Sequence, residues 1–97
     1  HILFNNGAHD SVGGQPTAGY KIDFRNIAGA CGYSLILRAK TTGEVAACII
    51  KMKEFKGTSF LEILVKKGFR ENLGRPTTQP KNNKKNIIKF IKDSYYD

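Results

Sequence analysis

Residues 33–65, YSLILRAKTTGEVAACIIKMKEFKGTSFLEILV, decide the fold. The stretch opens with a compact apolar run over residues 33–39, which predicts a strand. Thr41 and Glu44 follow in the spacing of a capping box, so we expect a helix to begin there. Four apolar residues recur at the spacing of one helix face: Val45, Cys48, Ile49 and Met52. The pattern therefore predicts a strand followed by an amphipathic helix.

A second strand follows this helix. Gly57 ends the helical pattern, and residues 60–65 form an apolar run that predicts a strand covered on both faces. A strand, a helix and a strand at this spacing favour parallel pairing through a right-handed crossover.

The residues before this stretch repeat the alternation. Residues 1–4 form a short apolar run, which predicts a buried strand that ends at turn residues. Residues 7–21 are rich in Gly, Pro and polar side chains, and we expect no regular element there. Asp23 stands where a helix N-cap belongs, and Gly32 is placed to end that helix. Its predicted apolar face consists of Phe24, Ile27, Ala28 and Cys31.

Together these segments predict an α/β fold, a parallel sheet with flanking helices. Residues 2–4, 34–39 and 60–65 are expected to pair as one parallel sheet. Three strands make a thin sheet, and no element precedes the first strand to cover it. We therefore interpret residues 1–97 as the second half of a larger domain.

The last third of the chain is predicted to be a loop followed by a helix. Residues 67–81 hold Pro76 and Pro80 and predict the loop, and residues 82–97 predict a terminal helix. The predicted apolar face of this helix consists of Ile87, Ile88, Ile91 and Tyr95, and its other faces carry Lys84, Lys85, Lys89 and Lys92. We interpret these lysines as a solvated face in preference to a binding patch.

Composition limits the class of protein. The chain has 97 residues, of which 40% are hydrophobic and 25% charged, which is ordinary globular usage. Its apolar runs are far shorter than the roughly 20 residues of a membrane span, and no secretory leader pattern is visible. Cys31 and Cys48 are predicted to be reduced packing residues, so we expect a cytoplasmic protein without a membrane partner.

The charge is strongly basic. The formal net charge is +8, and twelve of the sixteen Lys and Arg residues lie in residues 49–97. Such a balance suits nucleic acid, an acidic membrane surface, a phosphate-bearing ligand or simply a solvated lysine-rich face. Because stacking aromatics on a strand and a helix-turn-helix pattern are both missing, we expect no nucleic-acid partner, and a small basic nucleic-acid-binding module remains an alternative.

A polar loop leaves the first strand where α/β sheets bind ligands, at the carboxyl edge. It runs from Asn5 to Thr17 and holds amide, imidazole, hydroxyl and carboxylate side chains among several glycines. Amide and backbone oxygens suit magnesium, and the N–H groups of a glycine-rich turn suit phosphate. Two asparagines at the end of a strand are also an ordinary turn, so this signal is weak alone.

Two runs of residues carry a family resemblance. Residues 3–17, LFNNGAHDSVGGQPT, resemble the closing part of the thiamine-diphosphate motif in the phosphonopyruvate decarboxylase family of 2-oxo acid decarboxylases. Residues 73–78, LGRPTT, are similar to the tail of the same family. The portion from His9 to Thr17 is the most specific, and it separates the chain from the sister sulfopyruvate decarboxylases.

The resemblance implies roles for particular residues. The side chain of Asn6 and the backbone carbonyl of Ala8 match the family's magnesium ligands, and Asn5, Asn6, Gly7 and Ala8 would approach the cofactor diphosphate. Four residues fall on the substrate side, where their role is left open and an ordinary turn function is equally compatible: His9, Asp10, Ser11 and Gln15. Arg75 is a candidate for binding the substrate anion, and anchoring of the C-terminal segment is its competing role.

The resemblance also implies an activity for a longer parent protein. That protein would be a homo-oligomer that uses thiamine diphosphate and Mg²⁺ to convert phosphonopyruvate, a small-molecule 2-oxo acid, to phosphonoacetaldehyde and CO₂ in phosphonate biosynthesis. The family's Gly-Asp-Gly metal-binding triplet and catalytic glutamate have no match here, so we expect a C-terminal fragment that depends on the rest of the parent chain. By itself this fragment is predicted to be inactive. The alternative is a decarboxylase of sulfopyruvate or another 2-oxo acid.

Overall fold

The computed structural model describes residues 1–95 and shows an α/β arrangement of strands and helices. In chain order the elements are β1 (Ile2–Asn5), β2 (Ala8–His9), β3 (Gln15–Pro16), α1 (Phe24–Ala30), β4 (Leu35–Ala39), α2 (Thr42–Glu54), β5 (Ser59–Leu64) and α3 (Pro80–Tyr95). Two 3₁₀ turns, Asp10–Val12 and Ala18–Tyr20, lie between β2 and α1.

The main sheet has three parallel strands in the order β1-β5-β4. Ile63 on the central strand β5 is the register partner of Phe4 on β1 and of Ala39 on β4. The sequence prediction of one parallel sheet is therefore confirmed, and each strand boundary lies within one residue of the expected one. Because all three strands run the same way, the loops that follow them emerge at one carboxyl edge.

Helix α2 covers one face of this sheet and begins at the predicted capping box. Thr41 Oγ1 accepts from the Glu44 N–H at 3.2 Å, and Glu44 Oε2 accepts from the N–H groups of Lys40 and Thr41 at 2.7 and 3.0 Å. These backbone donors stabilise the ionised carboxylate and lower the pKa of Glu44. The predicted apolar face of α2 is confirmed, because it packs against core residues of β4 and β5. This face consists of Val45, Cys48, Ile49 and Met52.

Helix α1 covers the opposite face. Asp23 caps it as predicted, with Oδ1 accepting from the N–H groups of Arg25 and Asn26 at 3.1 and 3.2 Å. Alternate residues of a strand point to opposite faces, and α1 lies over Ile36 whereas α2 contacts Leu37. The sheet thus has a helix on each face, which the α/β prediction requires.

The prediction that both cysteines pack in the interior is half right. Cys48 is buried in the core, whereas Cys31 is exposed, and both are free thiols. The reason is the length of α1, which has only seven residues and ends at Ala30. Cys31 follows the last helical residue as the C-cap, and Ala28 is the buried residue of this helix.

Strand β1 is more exposed than the sequence suggested. Phe4 is 68% exposed and Ile2 is 42% exposed, although a buried strand was expected. The physical reason is position, because β1 is an edge strand, and α1 and α2 pack over β4 and β5. The apolar run of residues 1–4 correctly predicts a strand. It contains no information on which strands of the sheet the helices cover.

Helix α3 stands apart from the sheet. It begins at Pro80, two residues before the predicted start, because proline suits the first position of a helix, where no N–H is required. Its apolar residues Ile87, Ile88 and Ile91 are 43–54% exposed. The radius of gyration is 17.6 Å, against about 13 Å for a compact chain of this length. The Tyr95 side chain and residues 96–97, which the terminal-helix prediction includes, lie outside the described part.

None of the helices within residues 1–95 has the length and hydropathy that a membrane span requires.

Candidate functional site

The loop between β1 and α1 has more order than its composition suggested. Strands β2 and β3 form a short antiparallel ladder, which corrects the expectation that residues 7–21 hold no regular element. The Thr17 N–H donates to the Gly7 carbonyl and the Gly14 N–H to the His9 carbonyl, each at 2.8 Å. Gly13 and Gly14 take the left-handed conformation that reverses the chain, with φ of 114° and 72°. Local pairing therefore shapes this loop at the carboxyl edge of the sheet.

Asn5 fastens the loop to the sheet. It is 6% exposed, and its Nδ2 donates to the Gly19 carbonyl at 2.8 Å and to Glu62 Oε1 at 2.9 Å. Its Oδ1 accepts from the Gly7 N–H at 3.1 Å. Both amide donors and the carbonyl oxygen are thus engaged, so the amide has a single orientation.

Asn6 has a different environment at the start of the loop. Its Nδ2 donates to Asp10 Oδ2 at 2.7 Å, and its Oδ1 accepts from the Ala8 N–H at 3.0 Å. Asp10 Oδ2 also accepts from the Gly68 N–H at 2.9 Å, which ties this turn to the loop after β5. Because Asp10 holds the amide nitrogen, Oδ1 is held on the other side, where its second lone pair can meet a cation.

The carbonyl of Ala8 also has a defined direction. Ala8 lies opposite Pro16, which has no N–H to donate, and the ladder bonds on either side are accepted by Gly7 and His9. In an antiparallel ladder, residues alternate between bonding and not bonding across the strands. The Ala8 carbonyl therefore points away from β3. Because a metal ligand at this position would be the backbone oxygen, the side chain can be as small as that of alanine.

Gly7 is required by the turn that separates these two oxygens. Its φ is +64°, in the left-handed region, and a Cβ added there would lie 2.5 Å from Cε2 of the Tyr20 ring. Tyr20 is held in turn by its hydroxyl, which donates to the Val65 carbonyl at 3.2 Å.

Gly7→Ala is therefore expected to destabilise the protein by about 2–4 kcal/mol, from the backbone conformation and the overlap with Tyr20. Urea unfolding measures this change. Gly14→Ala is the matched control, because its φ is also positive while nothing lies within 4 Å of an added Cβ. An equal loss in the two variants would contradict the packing account, since strain alone would then explain both.

A cavity of about 350 Å³ lies beside the loop. It is lined by Asp10, Ser11, Phe69, Glu71, Leu73 and Arg75. Three residues that the sequence singled out, Asp10, Ser11 and Arg75, therefore line one cavity although about sixty residues separate them. His9 and Gln15 are exposed partners across the β2–β3 ladder and are not among its lining residues.

Sequence reasoning missed a buried carboxylate under this loop. Glu62 lies in the middle of β5, is 2% exposed, and pairs with Arg38 on β4 at 3.1 Å between Oε2 and Nε. The signal was available as a single carboxylate within the apolar run of residues 60–65. A buried carboxylate requires partners, and its partners here are Arg38 and Asn5.

Asn6 Oδ1 and the Ala8 carbonyl oxygen are the type of ligand that a hard cation binds. Magnesium prefers oxygen ligands, and both groups supply one from the same turn. They carry no charge, and within residues 1–95 no group of three or more His, Cys, Asp and Glu side chains could hold a metal ion. The site therefore suits a metal whose remaining ligands are phosphate oxygens or carboxylates from elsewhere.

Fold and loop together define an α/β segment with a candidate metal- and anion-binding turn at the carboxyl edge of a parallel sheet. The chain is 29% identical to phosphonopyruvate decarboxylase of Streptomyces viridochromogenes over 80 residues, and 30% identical to that of Streptomyces hygroscopicus over the same length. These matches cover 82% of this chain and 20% of each relative. The resemblance to phosphonopyruvate decarboxylases is confirmed, and the chain spans a fifth of the length of these relatives.

No protein-family model and no solved structure matches the chain.

Proposed function

We propose that this chain is part of a decarboxylase that converts phosphonopyruvate to phosphonoacetaldehyde and CO₂, with thiamine diphosphate and Mg²⁺ as cofactors. The observation that carries the proposal is the fixed orientation of Asn6, whose amide nitrogen is bound to Asp10. This turn lies in a chain similar to phosphonopyruvate decarboxylases. Thiamine diphosphate supplies the electron sink for decarboxylation when it is bound.

Within this proposal, the turn contributes metal ligands more than diphosphate donors. The N–H groups of Gly7 and Ala8 are already donated to the side chains of Asn5 and Asn6. They are therefore engaged in shaping the turn, and Asn6 Oδ1 and the Ala8 carbonyl are left to face the cation. The loop would bind the diphosphate chiefly by holding the metal that neutralises it.

The charge that such a site needs lies elsewhere. Asn6 and Ala8 offer neutral oxygens, whereas Mg²⁺ is usually bound through carboxylates and phosphates. The sequence contains no Gly-Asp-Gly triplet, so an acidic ligand would come from another part of the parent protein. For that reason we expect these 97 residues alone neither to bind the cofactor tightly nor to catalyse the reaction.

Arg75 is the residue through which the cavity beside the loop would bind the anionic end of the substrate. A phosphonate carries up to two negative charges, and Arg75 offers a planar pair of donors suited to that group. Ser11 adds a hydroxyl to the same cavity, and Asp10 connects it to Asn6. The lining also holds two carboxylates, Asp10 and Glu71, of which Asp10 already accepts from Asn6 and from the Gly68 N–H. Binding of the substrate anion here therefore depends on Arg75, the one cationic residue of the lining.

The test is a rate measurement on the full-length protein. Steady-state assays with phosphonopyruvate and with sulfopyruvate, each with thiamine diphosphate and Mg²⁺, separate the two substrate assignments. We expect phosphonoacetaldehyde and CO₂ from the first substrate, with loss of activity in EDTA and recovery on adding Mg²⁺. Faster turnover of sulfopyruvate would reassign the substrate, and turnover of neither would contradict the proposed function.

A further inference from the structure

A polar connection crosses all three strands of the main sheet beneath the loop. Arg38 on β4 and Glu62 on β5 are register partners, and Asn5 on β1 is the diagonal neighbour of Glu62. Glu62 forms an ion pair with Arg38, with 3.1 Å between Oε2 and Nε, and its Oε1 accepts from Asn5 at 2.9 Å. Each carboxylate oxygen thus has its own partner on a different strand.

We propose that Glu62 is a positioning residue for the metal-binding turn and acts through Asn5. Glu62 holds one N–H of the Asn5 amide and the Gly19 carbonyl holds the other, so Oδ1 must face the Gly7 N–H. Gly7 is the residue between Asn6 and Ala8. Fixing its N–H therefore sets the backbone that separates the two proposed metal ligands.

Stability alone gives no reason for a carboxylate at this position. Glu62 is flanked along β5 by the buried residues Leu61 and Ile63, and an apolar side chain would suit the strand. Arg38 is 36% exposed, so an apolar residue in place of Glu62 would leave no unpaired charge buried. An apolar residue would leave one N–H of the Asn5 amide without its acceptor, so only the Gly19 carbonyl and the Gly7 N–H would hold this side chain. Glu62 therefore supplies the third of the three contacts that fix the Asn5 amide.

Gly19 offers a second route to the same side chain. A Cβ added at Gly19 would lie 2.6 Å from Asn5 Oδ1. The backbone of Gly19 lies outside the left-handed region, so alanine brings no backbone strain there. Gly19→Ala therefore displaces Asn5 while it leaves the Arg38–Glu62 pair in place.

The experiment compares Glu62→Leu and Glu62→Gln in the full-length protein. Hydrogen exchange of the peptide that covers residues 5–9 is followed by mass spectrometry without cofactor, and binding of Mg²⁺–thiamine diphosphate by calorimetry. In Glu62→Leu, exchange at Gly7 should be about tenfold faster and the affinity for the cofactor about tenfold weaker, as the loss of one hydrogen bond implies. Glutamine retains an oxygen for Asn5 and should restore most of both. Gly19→Ala should have the same effects as Glu62→Leu, and it replaces that variant in the experiment if Glu62→Leu does not fold.

The matched control is Ile63→Val, since Ile63 is the next buried residue of β5 and belongs to the core on the α2 face. It should lower the melting temperature and leave exchange of residues 5–9 unchanged. Wild-type exchange of residues 5–9 in Glu62→Leu would overturn the positioning role, and so would an increase in Ile63→Val as large as that in Glu62→Leu. The part of the inference that concerns the metal rests on the proposed function. If the wild type bound no thiamine diphosphate, the proposed function would be refuted. Faster exchange at Gly7 in Glu62→Leu would still uphold the positioning role of Glu62.

Discussion

Replacing Asn6 with alanine is expected to weaken magnesium-dependent binding of thiamine diphosphate to the full-length protein by about 100-fold or more. The variant removes the only side-chain oxygen that the turn is proposed to give to the metal. Its effect on the fold should be small, because Asn6 is half-buried and bonds only within its own loop, to Asp10 and Ala8. Calorimetric titration of the cofactor at saturating Mg²⁺ measures the change.

Val12→Ala is the control for this prediction, since Val12 lies in the same loop, is 69% exposed and makes none of the turn's bonds. Its affinity for the cofactor should equal that of the wild type. If Asn6→Ala bound the cofactor as tightly as Val12→Ala, the assignment of Asn6 as a ligand would be wrong.

The second large effect is expected at Arg75. Arg75→Ala should raise the KM for phosphonopyruvate by about 10- to 100-fold, the cost of losing charged hydrogen bonds to the substrate anion. Thermal stability should change little, because Arg75 is an exposed residue of the loop between β5 and α3. Steady-state kinetics and a melting curve on the same preparation give both quantities.

Arg70→Ala is the matched control, because it removes the same charge from the same loop and Arg70 is not among the residues that line the cavity. Its KM should remain near the wild-type value. A lowered melting temperature with an unchanged KM in Arg75→Ala would instead assign this residue to anchoring the C-terminal segment.

The elements that the sequence predicted well are those specified by neighbouring residues. The capping box of Thr41 and Glu44 and the N-cap Asp23 act over three residues, and both helices begin where these patterns indicate. The strands of the parallel sheet follow from apolar runs separated by one helix each. Such features depend on local chain geometry, so a single sequence is enough to find them.

The features that sequence reasoning missed depend on residues that are distant in the chain. The pairing of Glu62 with Arg38 and Asn5 follows from the register of three strands, which no local pattern contains. The exposure of Phe4 depends on which strands the helices cover. The β2–β3 ladder is two residues long on each side, too short for an alternating pattern to appear.

The candidate site divides in the same way. The resemblance singled out Asn6 and Ala8, and the structure shows how the hydrogen bond to Asp10 and the position opposite Pro16 orient their oxygens. It also brings Arg75 into the cavity beside Asp10.

The most direct test of the central claim is a crystal structure of the full-length protein with Mg²⁺ and thiamine diphosphate. We expect the metal to be bound by Asn6 Oδ1 and the Ala8 carbonyl together with diphosphate oxygens, at the distances of 2.0–2.1 Å that are typical of magnesium. A metal–diphosphate complex bound with neither of these two oxygens in contact would contradict the account.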